Sequence, residues 1–580
     1  VRNADFAEKD WIIAAPHPRR DALAREAGIS PLLAQVLLNR GLASPAEVAA
    51  YLRPAFSDLL PPEDLPGAVA AAARLAAAVR DRRLIVIYGD YDVDGVTATT
   101  ILWHALTLAD ANVDFYVPSR LEEGYGLNAD ALQAIADGGG RQVITVDCGI
   151  TATEPVARAR ELGLEIIVTD HHQPHDRLPD ADVIVHPTAC GASGNPHLSG
   201  AGVALKIAWA LARQLSGQSR VDRMYRTFLL EATAFAALGL IADVVPLVGE
   251  NRIIASYGLR HLCHTANPGL RALIEVSGLA DNTSYDDYDV GFRLAPRLNA
   301  IGRLGHASLA VELFTGADAA RAEGIAATLD AENRRRQDVE RGIVKQAEAL
   351  VMERGLHRDS CRGIVLASPE WHPGVIGIVA SRLVDRFHRP TILIALDGGL
   401  GQGSGRSIRH FPLHEVLDAC GEHLESYGGH AMAAGLKVRE SEIEAFTERF
   451  LSEAARRLTP VDLRPKLHLD DEVELVALTA EAVELLQRLA PFGECNPRPR
   501  LATQPVDLVE APRAVGRSGA HLQFTVRQGS AYRKAIAFGR GGQVEQLADH
   551  PRVRVAFEPI LNEWNGRRTA ELKVIDWQPV

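Results

Sequence analysis

Short runs of β-branched and aromatic residues recur along the first half of the chain, each followed by a longer stretch of helical character. Residues 84–88, 113–117, 142–146, 165–168 and 183–185 read as strands. Between them, residues 96–108, 129–136 and 153–162 carry apolar side chains at helical spacing. Strand, helix, strand repeated in this way predicts a parallel sheet with helices on its faces. Helical patterning then dominates from Gly202 to about Leu262. Residues 317–355 contain no Pro and are densely charged (Glu332, Arg334, Arg335, Arg336, Asp338, Glu340, Arg341), which predicts one long connecting helix. At about 1.5 Å per residue it would run roughly 58 Å.

Alternation restarts beyond that helix, with strands over 363–367 and 391–396, a helix over 374–387, further segments at 399–408 and 430–438, and a closing helix over 442–457. From about Leu463 the pattern changes to short strands at 506–510, 522–526, 535–538, 553–557 and 570–575, separated by Gly-containing turns. Such a run of short strands suggests a small barrel of OB-fold type. The expected fold class is therefore α/β: two α/β domains joined by a long helix, followed by a C-terminal β-barrel. The expected divisions are a preamble over 1–65, a first α/β domain over 66–316, the helix over 317–355, a second α/β domain over 356–459 and the barrel over 460–580.

Composition agrees with several domains, since 580 residues exceed what one core supports. A hydrophobic fraction of 47% with 23% charged residues excludes a largely disordered chain. Six scattered cysteines without a CxxC pair make a disulfide framework and a cysteine zinc site poor readings, and point to a reduced, cytoplasmic protein. The N-terminal residues show no apolar export segment, and the apolar stretch around 228–247 is cut by Glu231 and Asp243, so no membrane span is expected. The net charge of −12 rules out a surface basic throughout, yet residues 498–580 hold 13 Lys and Arg against 8 Asp and Glu. No Gly-Lys dipeptide occurs, which excludes a P-loop ATPase.

The chemistry concentrates at predicted strand ends. Gly89-Asp90-Tyr91-Asp92-Val93-Asp94-Gly95 follows the strand at 84–88, Asp147 follows 142–146, Asp170-His171-His172 follows 165–168, and Asp243 follows an apolar helix. Ligand sites of parallel sheets form at the carboxyl ends of strands. Carboxylates this close repel one another, and a divalent cation relieves the repulsion. An EF-hand is the rival, but its twelfth position would be Ile101 where a bidentate Glu is needed, and a strand rather than a helix precedes the motif. A solvated acidic turn is the plainer alternative for that motif alone. Asp and His ligands together suit Mn²⁺, with Mg²⁺ and Zn²⁺ as alternatives, and paired metals of this kind catalyse in-line displacement at phosphorus.

In their order, the segments 90–95, 146–149 and 169–172 resemble the motifs of the DHH phosphoesterase superfamily, and Gly428-Gly429-His430-Ala431-Met432-Ala433-Ala434-Gly435 resembles its associated domain. Pro118-Ser119-Arg120, residues 124–128, Arg297-Leu298-Asn299-Ala300, Gly302-Arg303, residues 371–377, Gly403-Ser404-Gly405-Arg406-Ser407 and Pro491-Phe492-Gly493 are similar to the RecJ family of bacterial single-strand-specific exonucleases.

The resemblance implies 5′→3′ exonucleolytic cleavage of single-stranded DNA in repair and recombination, with two Mn²⁺ ions or Mg²⁺ in their place. It implies Asp92 and Asp94 as ligands of different cations, Asp147 shared by both, and His171 with Asp243 completing the second. His172 would contact the scissile phosphate or a group next to it, and Asp90 would bind metal or orient its neighbours. Tyr88 stands where the superfamily's pyrophosphatase branch has a metal-binding His, which argues against that branch and leaves the first cation's ligand set open. Arg120, Arg303, Ser404 and Arg406 would surround the 5′ end, with His430 facing the cleft.

Tyr125 could stack on a terminal base or anchor its turn. Trp564, Arg567 and Arg568 could capture a single strand or form a structural hairpin. Expected partners are a single-strand DNA-binding protein and a RecQ-type helicase, with the chain itself monomeric. Two other functions compete: a DHH phosphodiesterase of short oligonucleotides or cyclic dinucleotides, and a replication scaffold without catalysis. The retained acids disfavour the scaffold.

Overall fold

The computed structural model of the chain describes residues 9–119, 123–124, 126–191, 193–217, 221–304, 307–564 and 566–580; the side chains of Arg303, Leu304 and Trp564 lie outside that description. The chain folds into two compact units. One holds residues 42–333 and 487–498; the other holds the residues up to Gly41 together with 334–486 and 499–580.

The first unit is built on a five-stranded sheet in the order Val113–Tyr116, Ile85–Tyr88, Gln142–Thr145, Glu165–Thr169, Val183–Val185, all parallel. The strands Ile85–Tyr88 and Gln142–Thr145 are buried along their whole length, as a parallel sheet covered on both faces requires. One face packs on the helices Val93–Leu108, Gly200–Ser216 and Arg223–Ala242, through residues such as Ile87, Ile101, Ala204 and Phe235. The other buries Val86, Tyr88, Leu132, Val143 and Ile166. Strand order reverses between Ile85–Tyr88 and Gln142–Thr145, because the chain pairs Val113–Tyr116 on one side of the first and Gln142–Thr145 on the other. The carboxyl ends there diverge and leave a crevice.

One boundary shifts in this unit. The helix after the first strand starts at Val93, not 96, because Asp92 accepts backbone hydrogen bonds from Asp94 (2.9 Å) and Gly95 (3.1 Å) and so caps it. The helix Arg223–Ala242, with a mean hydropathy of 1.3, is long and apolar enough to cross a membrane. It serves here as a core helix, packed against Val93–Leu108 and Gly249–Leu262.

The second unit contains a five-stranded mixed sheet, with Ile364–Ser368 parallel to Thr391–Asp397, and Leu400–Arg406, Ala433–Arg439 and Ser426–Gly429 added antiparallel. The helix Pro373–Phe387 covers one face, where Val375 and Val379 meet Ile343, Ala347 and Val351 of the long helix; Phe446 and Phe450 of Ile443–Arg457 cover the other. The long helix runs unbroken over Ala319–Glu353, 35 residues, which at 1.5 Å per residue is about 52 Å.

The C-terminal strands form an eight-stranded sheet. Within it Arg552–Trp564, Val506–Leu508, His521–Gln528, Ala531–Ala537 and Arg567–Pro579 pair in a circuit that returns to Arg552–Trp564. The last two strands are 13 residues each, longer than the apolar pattern predicts. The N-terminal residues do not stand apart as a preamble. Asp10–Ile13 pairs in parallel with Lys466–Leu469, and Asn39 donates to the Asp470 carbonyl at 2.8 Å, so residues up to Gly41 join the second unit and Leu42 onward the first.

Candidate active site

Four segments bring acids and imidazoles to the crevice of the parallel sheet. Asp90, Asp92 and Asp94 follow Ile85–Tyr88, Asp147 follows Gln142–Thr145, His171 and His172 follow Glu165–Thr169, and Asp243 ends the helix Arg223–Ala242. Asp147 sits at φ +61°, a left-handed conformation that aspartate tolerates better than most residues but at some cost. The N-terminus of Gly200–Ser216 grips Asp94: the Ser199 hydroxyl donates at 2.8 Å and the Ala201 N–H at 3.0 Å, with Gly200 N–H on the other oxygen. The unpaired N–H groups of a helix start are a natural place for a carboxylate, here a buried one.

His171 Nε2 is the hub. It lies 3.1 Å from Asp147, 3.5 Å from Asp243 and 3.8 Å from Asp94. The atom is buried and makes no hydrogen bond among the described residues. Three overlapping groups of ligand atoms result: Asp94, His171 and Asp243; Asp147, His171 and His172; and Asp90, Asp92 and Asp147. Asp147 belongs to two of them and His171 to two.

The electrostatics match a cation site. Burial, followed by the neighbouring carboxylates, pushes Asp147 well above the usual range, Asp94 up to about 7 and Asp243 up to about 8. Burial and the adjacent His172 hold His171 down at about 3, so its ring is neutral and offers a lone pair. His172 goes the other way: burial opposes its charge, but the Asp170 carboxylate, 2.8 Å from Nδ1, raises it to about 9. These donors fit hard divalent cations of the Mn²⁺ or Mg²⁺ type: clustered carboxylate oxygens, one neutral imidazole nitrogen without a proton partner, and repulsion awaiting a counter-charge.

Four residues without an assigned role in the sequence pattern shape this site. Asp170 resists the effect of burial through the His172 contact and backbone donors at Ile150, His171 and His172, which hold it at about 2. Its position at a strand end, as for Asp147, was the available signal. Ser199 caps the helix that holds Asp94. At Gly200 a Cβ would lie 2.7 Å from the Asp147 Cβ, and at Gly239 it would lie 2.2 Å from Asp94 Oδ1. Those two close approaches are invisible in sequence. Tyr88 contributes nothing to the crevice: its hydroxyl donates to the Gly126 carbonyl at 3.0 Å and accepts from Asn128 at 3.1 Å.

Of the expected DNA contacts, Arg120 and Tyr125 lie outside the described residues, as do the side chains of Arg303, in the helix Ala295–Leu304, and Trp564. In the second unit Ser404 and Arg406 share the strand Leu400–Arg406, and Arg406 Nη1 donates to Ser404 Oγ at 3.2 Å. Both approach Gly377 in the helix Pro373–Phe387, where a Cβ would lie 2.9 Å from Ser404 Oγ and 3.1 Å from Arg406 Nη2. His430 is exposed in the turn between Ser426–Gly429 and Ala433–Arg439, not gathered with them by any described contact. Arg567 and Arg568 start the last strand of a true hairpin, facing Trp564 and Glu563 across it. Arg567 and Arg568 both line a cavity of about 760 Å³ with Arg533, Lys534, the half-exposed Tyr532 and the carboxylates of Glu510 and Glu571, and Arg568 is also engaged by Glu484 at 3.1 Å.

Family models match three stretches of the chain: the N-terminal domain of the DHH family over residues 84–233, the DHHA1 domain over 362–456 and the RecJ OB domain over 469–576. The single-stranded-DNA-specific exonuclease RecJ of Bacillus subtilis is 38% identical over 570 residues, covering 98% of this chain and 70% of its own length. That of Escherichia coli K12 is 34% identical over 573 residues, covering 96% of this chain and 97% of its own. The crystal structure of RecJ from Thermus thermophilus in complex with Mn²⁺ matches with a TM-score of 0.84 at 32% identity, over 98% of this chain and 79% of that one. The Mg²⁺ complex of the same protein matches at 0.77 and 31% identity, over 98% and 78%.

Proposed function

The chain belongs to the RecJ family of single-stranded-DNA-specific exonucleases, and from that premise we propose that it removes nucleotides from the 5′ end of single-stranded DNA at a site for two divalent cations. Metal-dependent exonuclease activity on single strands is the family's chemistry; the polarity, the number of cations and the residue roles are this proposal. The observation that carries it is the convergence of Asp94, Asp147 and Asp243 on His171 Nε2, at the crevice of a parallel sheet.

Asp92 and Asp94 serve different cations, Asp147 serves both, and His171 with Asp243 completes the second; Asp90 lines the first beside Asp92 and Asp147. Bound cations of this kind supply Lewis-acid stabilisation of charge on phosphoryl oxygens and acidify water. The chain's own residues do the rest. Ser199 and the N-terminus of Gly200–Ser216 fix Asp94 in place. Asp170 orients His172 and keeps it protonated near neutral pH, so its ring can donate to an oxygen of the scissile phosphate.

Residues 66–316 carry the metal chemistry, 356–459 recognise the strand end and 460–580 hold the strand. Arg120, Arg303, Ser404 and Arg406 recognise the terminal phosphate, with His430 beside the strand and Tyr125 stacking on its last base. Trp564, Arg567 and Arg568 grip the chain of nucleotides behind it; the cavity where Arg533, Lys534, Arg567 and Arg568 outnumber Glu510 and Glu571 supports that part. We further propose that the protein works in recombinational repair in the cytoplasm, as a monomer beside a single-strand DNA-binding protein and a RecQ-type helicase.

Digestion of 5′- and 3′-labelled single strands with Mn²⁺, Mg²⁺ or EDTA tests the core of this. The expected result is mononucleotide release from the 5′ end, absent in EDTA. Release from the 3′ end, or a preference for dinucleotides over long strands, would overturn it.

A further inference from the structure

Residues 487–498 interrupt the second unit in sequence and pack instead on the first, where they meet the loop that carries Asp243. Helix Arg223–Ala242 ends at Asp243, Val244 turns the chain at φ +59°, and Leu247 is buried before the next helix starts at Gly249. The Leu247 N–H donates to the Glu494 carbonyl at 2.9 Å. Gly493 lies flat on Leu247, so close that a Cβ there would stand 2.7 Å from Leu247 Cδ1. Asn251 Nδ2 holds the same loop from the other side, donating to the Pro246 carbonyl at 3.0 Å.

The 487–498 segment is itself rigidly held. Buried Arg252 donates from its guanidinium to the carbonyls of Leu489 and Ala490 at 2.8 Å each, with Arg488 and Pro491 at 3.3 and 3.4 Å. Its Nε reaches the Tyr51 carbonyl at 3.0 Å and its guanidinium lies 4.0 Å from the centre of the Tyr51 ring. Asn496, fully buried, donates to Leu489 and Pro491 and exchanges backbone hydrogen bonds with Gly493, closing the segment on itself. Phe492 N–H donates to Asp287 at 3.0 Å, and Arg498 reaches the same carboxylate at 2.8 Å.

We propose that this segment, clamped by Arg252, is a strap that positions Asp243 and thereby sets cation affinity at the Asp94, His171 and Asp243 group. The inference rests on Asp243 being a cation ligand, as proposed above. A loop of six residues tied at only one side would let the carboxylate swing, and the entropy of re-ordering it would be charged against binding. Arg252 and Gly493 are positioning residues; neither belongs to any of the three ligand groups.

The test is Mn²⁺ titration calorimetry on the full, cation-stripped chain and on Gly493→Val and Arg252→Lys, with cleavage measured against Mn²⁺ concentration. The expected result for Gly493→Val is a loss in affinity of about 10- to 100-fold at one class of site, the scale on which residues behind a metal ligand act. The Mn²⁺ concentration for half-maximal cleavage should rise in parallel, while kcat at saturating Mn²⁺ stays within about twofold, and Arg252→Lys should lose less. Unchanged affinity in the folded variants would overturn the strap. Asp243→Asn separates the two ideas: if it too leaves affinity unchanged, the ligand assignment fails instead. Hydrogen exchange on the unaltered chain covers variants that do not fold. Added Mn²⁺ should slow exchange at 243–248 and at Gly493 and Asn496 together; protection of the loop alone would exclude coupling.

Discussion

At the scale of single residues, the site depends on groups that are costly to bury and cheap only when a cation joins them. Asp147 is the clearest case, since it lies in two ligand groups and adopts a left-handed backbone. Asp147→Ala should therefore remove cation binding and reduce cleavage to background while single-strand binding persists. Near-normal cleavage by the folded variant would rule out the shared-ligand role. Gly200→Ala is a subtler version. Its methyl would fall 2.7 Å from the Asp147 Cβ, so a single added carbon should weaken cation binding by about tenfold or more, read by the same calorimetry.

Elements decide which charges act together. The strand Leu400–Arg406 sets Ser404 and Arg406 side by side against the helix Pro373–Phe387, a pairing suited to one phosphate. Arg406→Ala should lower activity on 5′-phosphorylated strands by roughly 10- to 100-fold, from a charge-assisted hydrogen bond of about 1.5–3 kcal/mol. Strands ending in a 5′-hydroxyl should lose much less, and an equal loss on both would assign Arg406 to the fold. The C-terminal hairpin separates its cations too. Arg567, Lys534 and Arg568 border one cavity, the first two without an ion pair among the described contacts and Arg568 paired with Glu484 and Glu563. Lys534→Ala with Arg567→Ala should flatten the salt dependence of binding to long single strands, by about 0.7 in log–log slope per lost contact. Arg568→Ala should flatten it less than Arg567→Ala, because Glu484 and Glu563 already offset part of that charge. Point variants are the right probe, because ending the chain near Thr459 would also remove the pairing partner of Asp10–Ile13 and the 487–498 strap.

For the whole molecule the proposed cation site, with its buried carboxylates, is a reservoir of destabilisation without a counter-charge. Asp94 and Asp243 titrate near 7 and 8 in the fold against about 4 in an unfolded chain, and His172 near 9 against about 6.5. All three bind more protons folded than unfolded between pH 6.5 and 8, so the cation-stripped protein should lose stability as pH rises through that window. His171, held near 3, works oppositely only below about 6.5, where the unfolded imidazole gains its proton. Mn²⁺ should abolish the decline by occupying the site, and should add about 2.7 kcal/mol at a hundredfold excess over its dissociation constant. Thermal melts at pH 6.5 and 8, with EDTA and with Mn²⁺, check this; a cation-stripped protein more stable at pH 8 would contradict the assigned protonation states.

The sequence by itself determined the elements and the chemistry that stays local. Strand positions and the alternation that makes a parallel sheet are written in hydrophobic period, and the unbroken helix Ala319–Glu353 in the absence of Pro from a densely charged stretch. The acids and imidazoles are legible because each ends a strand or a helix, and a strand end in a parallel sheet has only one edge on which to appear. Tertiary structure decided whatever depends on partners far away in the chain. Nothing near residue 10 announces a strand partner at 466–469, and nothing near Gly200 announces Asp147 across the crevice. The grip of Ser199 on Asp94 joins residues 105 apart, and that of Arg252 on Leu489 joins residues 237 apart. Hydrophobic period records which face of an element is buried but not what it is buried against. The parts of the site that rest on close approach and on borrowed backbone groups are therefore fixed only when the chain has closed on itself.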